Sequence, residues 1–188
     1  MNYLIAKVND RKEKYRTVIA DNTVFYSLPI NLKNHYEYTP AYKLEDDEYH
    51  LVINAWIVNS KGEFLITQRV ATKPHPLMWE CTGGSAIEGD NPLDACVREI
   101  KEEVGLDIDV KTAKHIGTTI RYYKDCPDIL DVWLFKSDAD ISEITIQEEE
   151  VNDVMWADKK KILELHYAGK FEANAFFGDV ISKSISEF

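Results

Sequence analysis

Residues 81–106, CTGGSAIEGDNPLDACVREIKEEVGL, constrain this chain more than any other stretch. Gly83 and Gly84 lead into a short loop, and the loop opens a helix. Asn91 suits the N-cap, where its side-chain oxygen accepts from free backbone N–H groups. Pro92 suits the first helical position, where its missing N–H had no partner to lose. Asp94 lies at the positive end of the helix dipole. Leu93, Cys96, Val97, Ile100 and Val104 recur at helical spacing and predict one apolar face. Gly105 supplies a left-handed cap at the far end.

The same helix is crowded with acids. Glu99, Glu102 and Glu103 stand at i, i+3 and i+4, so at about 100° per residue they share one side, predicted to lie beside the apolar stripe and not within it. Exposed like charges at this spacing repel by roughly a few tenths of a kcal/mol per pair. Lys101 is adjacent in sequence and points elsewhere. A hard divalent cation relieves such repulsion, and Mg²⁺ takes oxygen ligands and bridges to phosphates. A solvated acidic helix face is the ordinary alternative, and the acids alone do not decide between the two.

The glycines and Arg98 carry a wider pattern. From Gly84 the chain reads Gly84, Asp90, Arg98, Glu99, Ile100, Glu102, Glu103, Gly105 and Leu106. This resembles the Nudix box, G-x5-E-x7-R-E-U-x-E-E-x-G-U with U a bulky aliphatic. Every defined position agrees except Asp90, which stands where the box has Glu. The resemblance implies a hydrolase that cleaves a nucleoside diphosphate linked to another group, using Mg²⁺ or Mn²⁺. It assigns Glu99, Glu102 and Glu103 to the metal, Glu99 also to activation of water, and the Gly83 carbonyl as a further ligand. Arg98 orients neighbouring carboxylates and pairs with the first acid of the box, so the shorter Asp90 predicts a weaker or rearranged pair. The chemistry is coherent, because diphosphate hydrolysis depends on positioning water and neutralising phosphate oxygens. Carboxylates on one rigid helix can hold more than one cation against the substrate.

The rest of the chain is compatible. At 188 residues and 45% hydrophobic it reads as globular. Its net charge of −11 argues against a nucleic-acid polymer as partner, which needs a basic footprint. Small nucleotides remain open, since metal can meet their phosphates. Cys81, Cys96 and Cys126 are odd in number and unpatterned, which predicts a reducing cytoplasm, with Cys96 in the core. The opening MNYLIAKVND holds no signal-peptide core, and no run is long enough to span a membrane.

Residues 1–46 read as an N-terminal extension. YRTVIA and TVFYSL predict a hairpin turning at Asp21-Asn22, followed by a loop packed on the main domain. Its functional alternatives are a homodimer contact or a pocket wall in which Tyr36, Tyr38 and Tyr42 stack on a base. Residues 47–188 read as the catalytic domain. HLVINAWIVN and FLITQR predict two strands about a turn at residues 60–63. A loop broken by Pro74 and Pro76 follows. His75 reads as a surface residue, and Trp79 as core in preference to a base platform. The resemblance offers Arg69 as a phosphate-facing residue, with an exposed strand-end arginine as the alternative. After the helix, residues 110–125 and 129–138 predict two long strands, on which Arg121, Tyr123 and Trp133 are candidates for the nucleotide side. The acids Glu148, Glu149 and Glu150 read alone as a solvated loop. The resemblance offers one of them, Glu150 first and Glu149 second, to the metals or the attacking water. VMWAD predicts a short strand, DKKKILELHYAGK a helix stopped near Gly169, and the stretch from about Glu172 an amphipathic closing helix through Phe177, Val180, Ile181 and Ile185.

The assembled expectation is an α/β fold, a Nudix-type α/β/α sandwich with a mixed sheet. Three functions fit. The first is metal-dependent hydrolysis of a nucleotide sugar, ADP-ribose or dinucleotide. The second is isopentenyl-diphosphate isomerase chemistry, disfavoured because that enzyme's cysteine position is taken by the pair Gly83-Gly84, with Cys81 two residues away. The third is a non-catalytic nucleotide sensor, disfavoured by the near-complete acid set.

Overall fold

A computed structural model describes residues 4–7, 16–20, 23–27, 36–38, 48–87, 90–121 and 127–182, with the backbone alone given up to residue 48. Its strands in chain order are β1 (Leu4–Lys7), β2 (Arg16–Ala20), β3 (Thr23–Ser27), β4 (Tyr36–Tyr38), β5 (Glu48–Val58), β6 (Phe64–Arg69), β7 (Trp79–Glu80), β8 (Thr82–Ser85), β9 (Lys114–Arg121), β10 (Asp128–Lys136) and β11 (Val151–Ala157). The helices are α1 (Pro92–Val104), α2 (Lys159–Tyr167) and α3 (Phe177–Ser182). Among the described residues, no helix is long and apolar enough to cross a membrane.

β5 organises the sheet. Its alternating side chains are apolar on both faces, and period-two geometry sends them to two different cores. Leu51, Ile53, Ala55 and Ile57 pack with Cys96, Ile100 and Val104 of α1. Trp56 and Val58 pack on the opposite face with Ile162 of α2, Phe171, and Val180 and Ile181 of α3. Each large aliphatic side chain so buried stabilises the fold by about 1.5–3 kcal/mol. β10 runs parallel to β5, from Asp128 opposite His50 to Lys136 opposite Val58. It is buried over all but its last residue, as a parallel strand covered on both faces must be. The strand order is β11-β6-β5-β10-β9-β3-β2, with β7 on β6, and β8 and β1 on β5. The result is a mixed sheet between helices, an α/β/α sandwich.

β2 and β3 pair from Arg16 opposite Ser27 to Ala20 opposite Thr23, and β3 continues the sheet along β9. β1 lies against the start of β5. The side chains of Tyr36, Tyr38, Tyr42, Tyr123, Cys126 and Ile185 lie outside the described residues.

Two boundaries differ from the sequence reading. Residues 110–112 form a 3-10 turn and β9 begins only at Lys114. The Asp109 carboxylate accepts from the Lys111 N–H at 2.9 Å, and a local side-chain bond of this kind favours a turn over an extended ladder. The closing helix starts at Phe177, not near Glu172. Residues 170–172 run instead along β7, where the Trp79 N–H donates to the Lys170 carbonyl at 2.8 Å and the Glu172 N–H to the Trp79 carbonyl at 2.7 Å. These bonds satisfy the free side of β7, which a helix would have left exposed.

Candidate active site

The loop and helix at residues 83–105 form as their residues dictate. Asn91 accepts from the Leu93 and Asp94 N–H groups at 3.0 Å each. Gly105 closes the helix at φ 72°, a left-handed conformation that glycine adopts without penalty. The glycines of β8 serve close approach. A side chain on Gly84 would overlap the Glu99 carboxylate, and one on Gly83 would overlap the Asn54 amide and the Ile53 carbonyl. β8 therefore rests directly on Glu99 of α1.

Arg98 gathers the outer carboxylates. Its Nη2 donates to Asp90 Oδ2 at 2.9 Å and to the Ser85 carbonyl at 2.9 Å, and its Nε donates to the same Asp90 oxygen at 3.1 Å. Its Nη1 donates to Glu99 at 2.8 Å and Glu102 at 2.9 Å. Burial alone would lower the guanidinium pKa, but the pairs with Asp90 and Glu99 outweigh it and hold the charge firmly. Asp90 also accepts from the Ile87 N–H at 3.1 Å. The shorter acid thus still reaches the arginine, because the loop folds back onto it.

The three helix acids do not share one environment. Glu102 has a half-exposed side chain, at 50%. Glu99 is 9% exposed and Glu103 2%, so both lie under cover and not on an open flank. Gly84 of β8 lies on the Glu99 carboxylate, and residues 145–147 bond to the end of α1, where the Gln147 N–H donates to the Glu103 backbone carbonyl at 3.1 Å. Burial pushes the Glu99 carboxyl above its ordinary value, against the pull of Arg98. Burial, with repulsion from Glu80 and Glu99, pushes the Glu103 carboxyl well above its own. Among the described residues, the Glu103 carboxylate has no hydrogen bond and no ion pair.

Glu150 is brought to this cluster, and its charge bears on both Glu99 and Glu103. Lys73 holds it at 2.7 Å, and its side chain is 41% exposed. Glu148 and Glu149 are exposed. Arg69 Nη1 donates to both Glu80 oxygens, at 2.7 and 2.8 Å, and its Nε to the Pro74 carbonyl at 2.7 Å. Trp79 is buried in the core. His75 is largely exposed and pairs with Glu172 at 3.0 Å. Arg121 forks onto Asp128 at 2.6 and 2.7 Å, away from the acids of α1. Trp133 packs in the α1-side core and donates to buried Asp131.

Sequence reasoning missed Glu80 and Lys73. Glu80 carried a signal, a carboxylate between Trp79 and Cys81 in a run otherwise suited to burial. Lys73 carried none, because its partner lies 77 residues away.

These residues fit a hard divalent cation. The donors are carboxylate oxygens and a glycine backbone, and a buried carboxylate left without a partner costs free energy that a cation would offset. Among the described residues no three His, Cys, Asp or Glu side chains already converge on one point. Arg98, Lys73 and Arg69 instead neutralise the outer acids one by one and leave Glu103 with no direct partner.

Comparisons with known proteins identify the family and the fold. The family model described as NUDIX domain matches residues 48–177. An uncharacterized Nudix hydrolase of Listeria innocua is 35% identical over 131 residues, covering 69% of this chain and 75% of that protein. An isopentenyl-diphosphate Delta-isomerase of Escherichia coli is 27% identical over 126 residues, covering 63% and 66%. A crystal structure of a Deinococcus radiodurans protein superposes with a TM-score of 0.59 at 21% identity, covering 94% of this chain and 96% of that one.

Proposed function

The chain belongs to the Nudix family of hydrolases, enzymes that cleave pyrophosphate bonds with divalent metal ions, and from that premise we propose that it cleaves the diphosphate linkage of a nucleoside diphosphate derivative. The substrate is of the nucleotide-sugar, ADP-ribose or dinucleotide type, and the metal is Mg²⁺ or Mn²⁺. Glu99, Glu102, Glu103 and the Gly83 carbonyl hold the metal. The observation that carries this reading is the Glu103 carboxylate, nearly inaccessible and without a direct partner, on the same helix as Glu99, a second buried acid on which the glycine strand rests.

Bound there, the cation supplies charge neutralisation for the phosphate oxygens and a fixed geometry for displacement. Arg98 keeps Glu99 and Glu102 in single orientations and ties them to the loop through Asp90. Glu150 has solvent access, bears on the cluster and is not among the acids assigned to the metal, so it takes the proton from the attacking water. Lys73 and Arg69 bring positive charge to the mouth of the site, where the diphosphate arrives. Burial raises the Cys81 thiol well above its ordinary pKa, which disfavours the thiol chemistry of the isomerase alternative.

The test is a substrate screen with Mg²⁺ and, separately, Mn²⁺. The panel holds nucleotide sugars, ADP-ribose, dinucleoside polyphosphates and isopentenyl diphosphate, with Glu103→Gln alongside. Metal-dependent cleavage of one class, lost in the variant, is the expected result. Binding of nucleotides without any turnover would leave the sensor reading standing in its place.

A further inference from the structure

Asn54 is a polar interruption in the apolar strand HLVINAWIV, and the reaction as derived above does not use it. In the sheet it stands opposite Gly83 on β8 and beside Val132 on β10, and Val132 in turn faces Gly117 on β9. At about 4.8 Å per strand, this row leads roughly 14 Å from the β8 glycines across the sheet. Its two glycines are both close-approach positions, since a side chain on Gly117 would overlap the Phe176 ring as one on Gly83 would overlap the Asn54 amide. The segment before α3 therefore lies down on the row, with Phe176 over Gly117 and Asn174 against Asn54.

The hydrogen bonds decide which way both amides face. The Phe176 backbone N–H can only donate, and it donates to Asn174 Oδ1 at 3.0 Å. Asn174 must then present its Nδ2, which donates to Asn54 Oδ1 at 2.8 Å. That leaves Asn54 presenting its own Nδ2, an NH₂ packed on Gly83 with no acceptor among the described residues. Asn54, Asn174 and Phe176 are each only partly buried, so the donor is within reach of a ligand. The Asn174 Nδ2 also lies 3.8 Å from the Cys81 sulfur, and Cys81 lies in the field of Glu80 and Glu103. The oriented donor thus lies beside Gly83, whose carbonyl the hydrolase reading gives to the metal and whose neighbour Gly84 rests on the Glu99 carboxylate.

We infer that Asn54, oriented by Asn174, donates a hydrogen bond to a carbonyl oxygen on the base of the substrate, with the partly exposed Phe176 ring alongside it. This rests on the diphosphate-hydrolase reading and adds to it a preference for bases with a carbonyl edge. An amide held in one orientation by a second amide is a rigid donor, and a base that offers an amino group in place of the carbonyl leaves that donor unpaired.

Two matched substrate pairs test it, each differing at that edge: UDP-glucose against CDP-glucose, and IDP-ribose against ADP-ribose. Within the pair that the enzyme accepts, the carbonyl-bearing member should have a KM lower by about tenfold or more at similar kcat, the discrimination expected of a built hydrogen bond. Asn174→Asp reverses the amide chain with little change of shape. Its carboxylate still accepts from Phe176 but faces Asn54 with an oxygen, so Asn54 turns over and presents its own oxygen. The preference should then invert toward the amino-bearing member. Asn54→Ala should process both members alike. Binding of the corresponding nucleoside monophosphates to the metal-free protein supplies a readout independent of turnover, and thermal melting shows that each variant is folded. Equal use of both members, a preference for the amino-bearing one, or a ratio unchanged in Asn174→Asp would overturn the inference while leaving the hydrolase intact. Failure to cleave any diphosphate, with monophosphate discrimination still present, would instead sink the hydrolase reading.

Discussion

Replacing Glu103 by Gln should make the metal-free protein more stable and the enzyme far less active. The native carboxyl is 2% exposed, has no direct partner and is repelled by Glu80 and Glu99. Its folded-state pKa therefore lies above the unfolded value of about 4.3. Between those two values the folded state binds more protons than the unfolded state, so this group's contribution to stability is full at low pH and is lost as pH rises. Gln has nearly the same shape and does not titrate. The variant should match the native protein near pH 5 and exceed it at pH 8, and each kcal/mol of relieved repulsion raises Tm by about 2–4 °C for a chain of this size. Metal reverses the comparison. A cation at a hundred times its Kd stabilises the native protein by about 2.7 kcal/mol, whereas the variant should shift much less. Turnover should fall by about 10²–10³-fold, the typical cost of one preorganised charge-stabilising group. The assays are thermal melts at pH 5 and pH 8, with and without Mg²⁺, and steady-state kinetics. A variant no more stable than native at pH 8 without metal, or one with full turnover, would refute the reasoning.

Gly84→Ala drives a Cβ into the Glu99 carboxylate, so kcat/KM should fall by about 10²-fold, the cost of misplacing a catalytic group by about 1 Å, with a melt only a few degrees lower. Arg98→Lys keeps the charge but loses the fork that joins Asp90, Ser85, Glu99 and Glu102, and metal affinity measured by titration calorimetry should drop by about 10–100-fold. Among Glu148→Gln, Glu149→Gln and Glu150→Gln, only the last should lower kcat, by about 10²-fold or more as for loss of a general base, and an equal loss at Glu149 would reassign the role.

The helix α1 was legible because its signals are local. Asn91, Pro92 and Gly105 act within one turn of the backbone they cap, and the apolar spacing from Leu93 to Val104 needs only helical geometry. The strands β5, β6 and β10 were legible from their apolar, β-branched runs, whereas the parallel pairing of β5 with β10 joins residues far apart in sequence and appeared only in the structure. Less legible was the burial of the acids. Helical periodicity places Glu99, Glu102 and Glu103 on one side, but only packing decides that Glu99 and Glu103 are buried and Glu102 is not. The closing helix was misplaced by five residues because residues 170–172 are recruited to bond with β7, a partner about ninety residues away. Lys73 and Glu150 met for the same reason, at a separation of 77 residues.

Residues 81–106 by themselves determined the loop, the helix, the acidic set and the pyrophosphohydrolase family, because caps, periodicity and motif spacing depend on neighbours in sequence. Only the tertiary structure decided that Glu103 is buried without a partner, that Arg98 holds three acids, and that Asn174 fixes which way the Asn54 amide faces. Those outcomes depend on which distant backbone comes to lie within hydrogen-bonding range, and side-chain charge and orientation are set there by burial and by the donors and acceptors already in use.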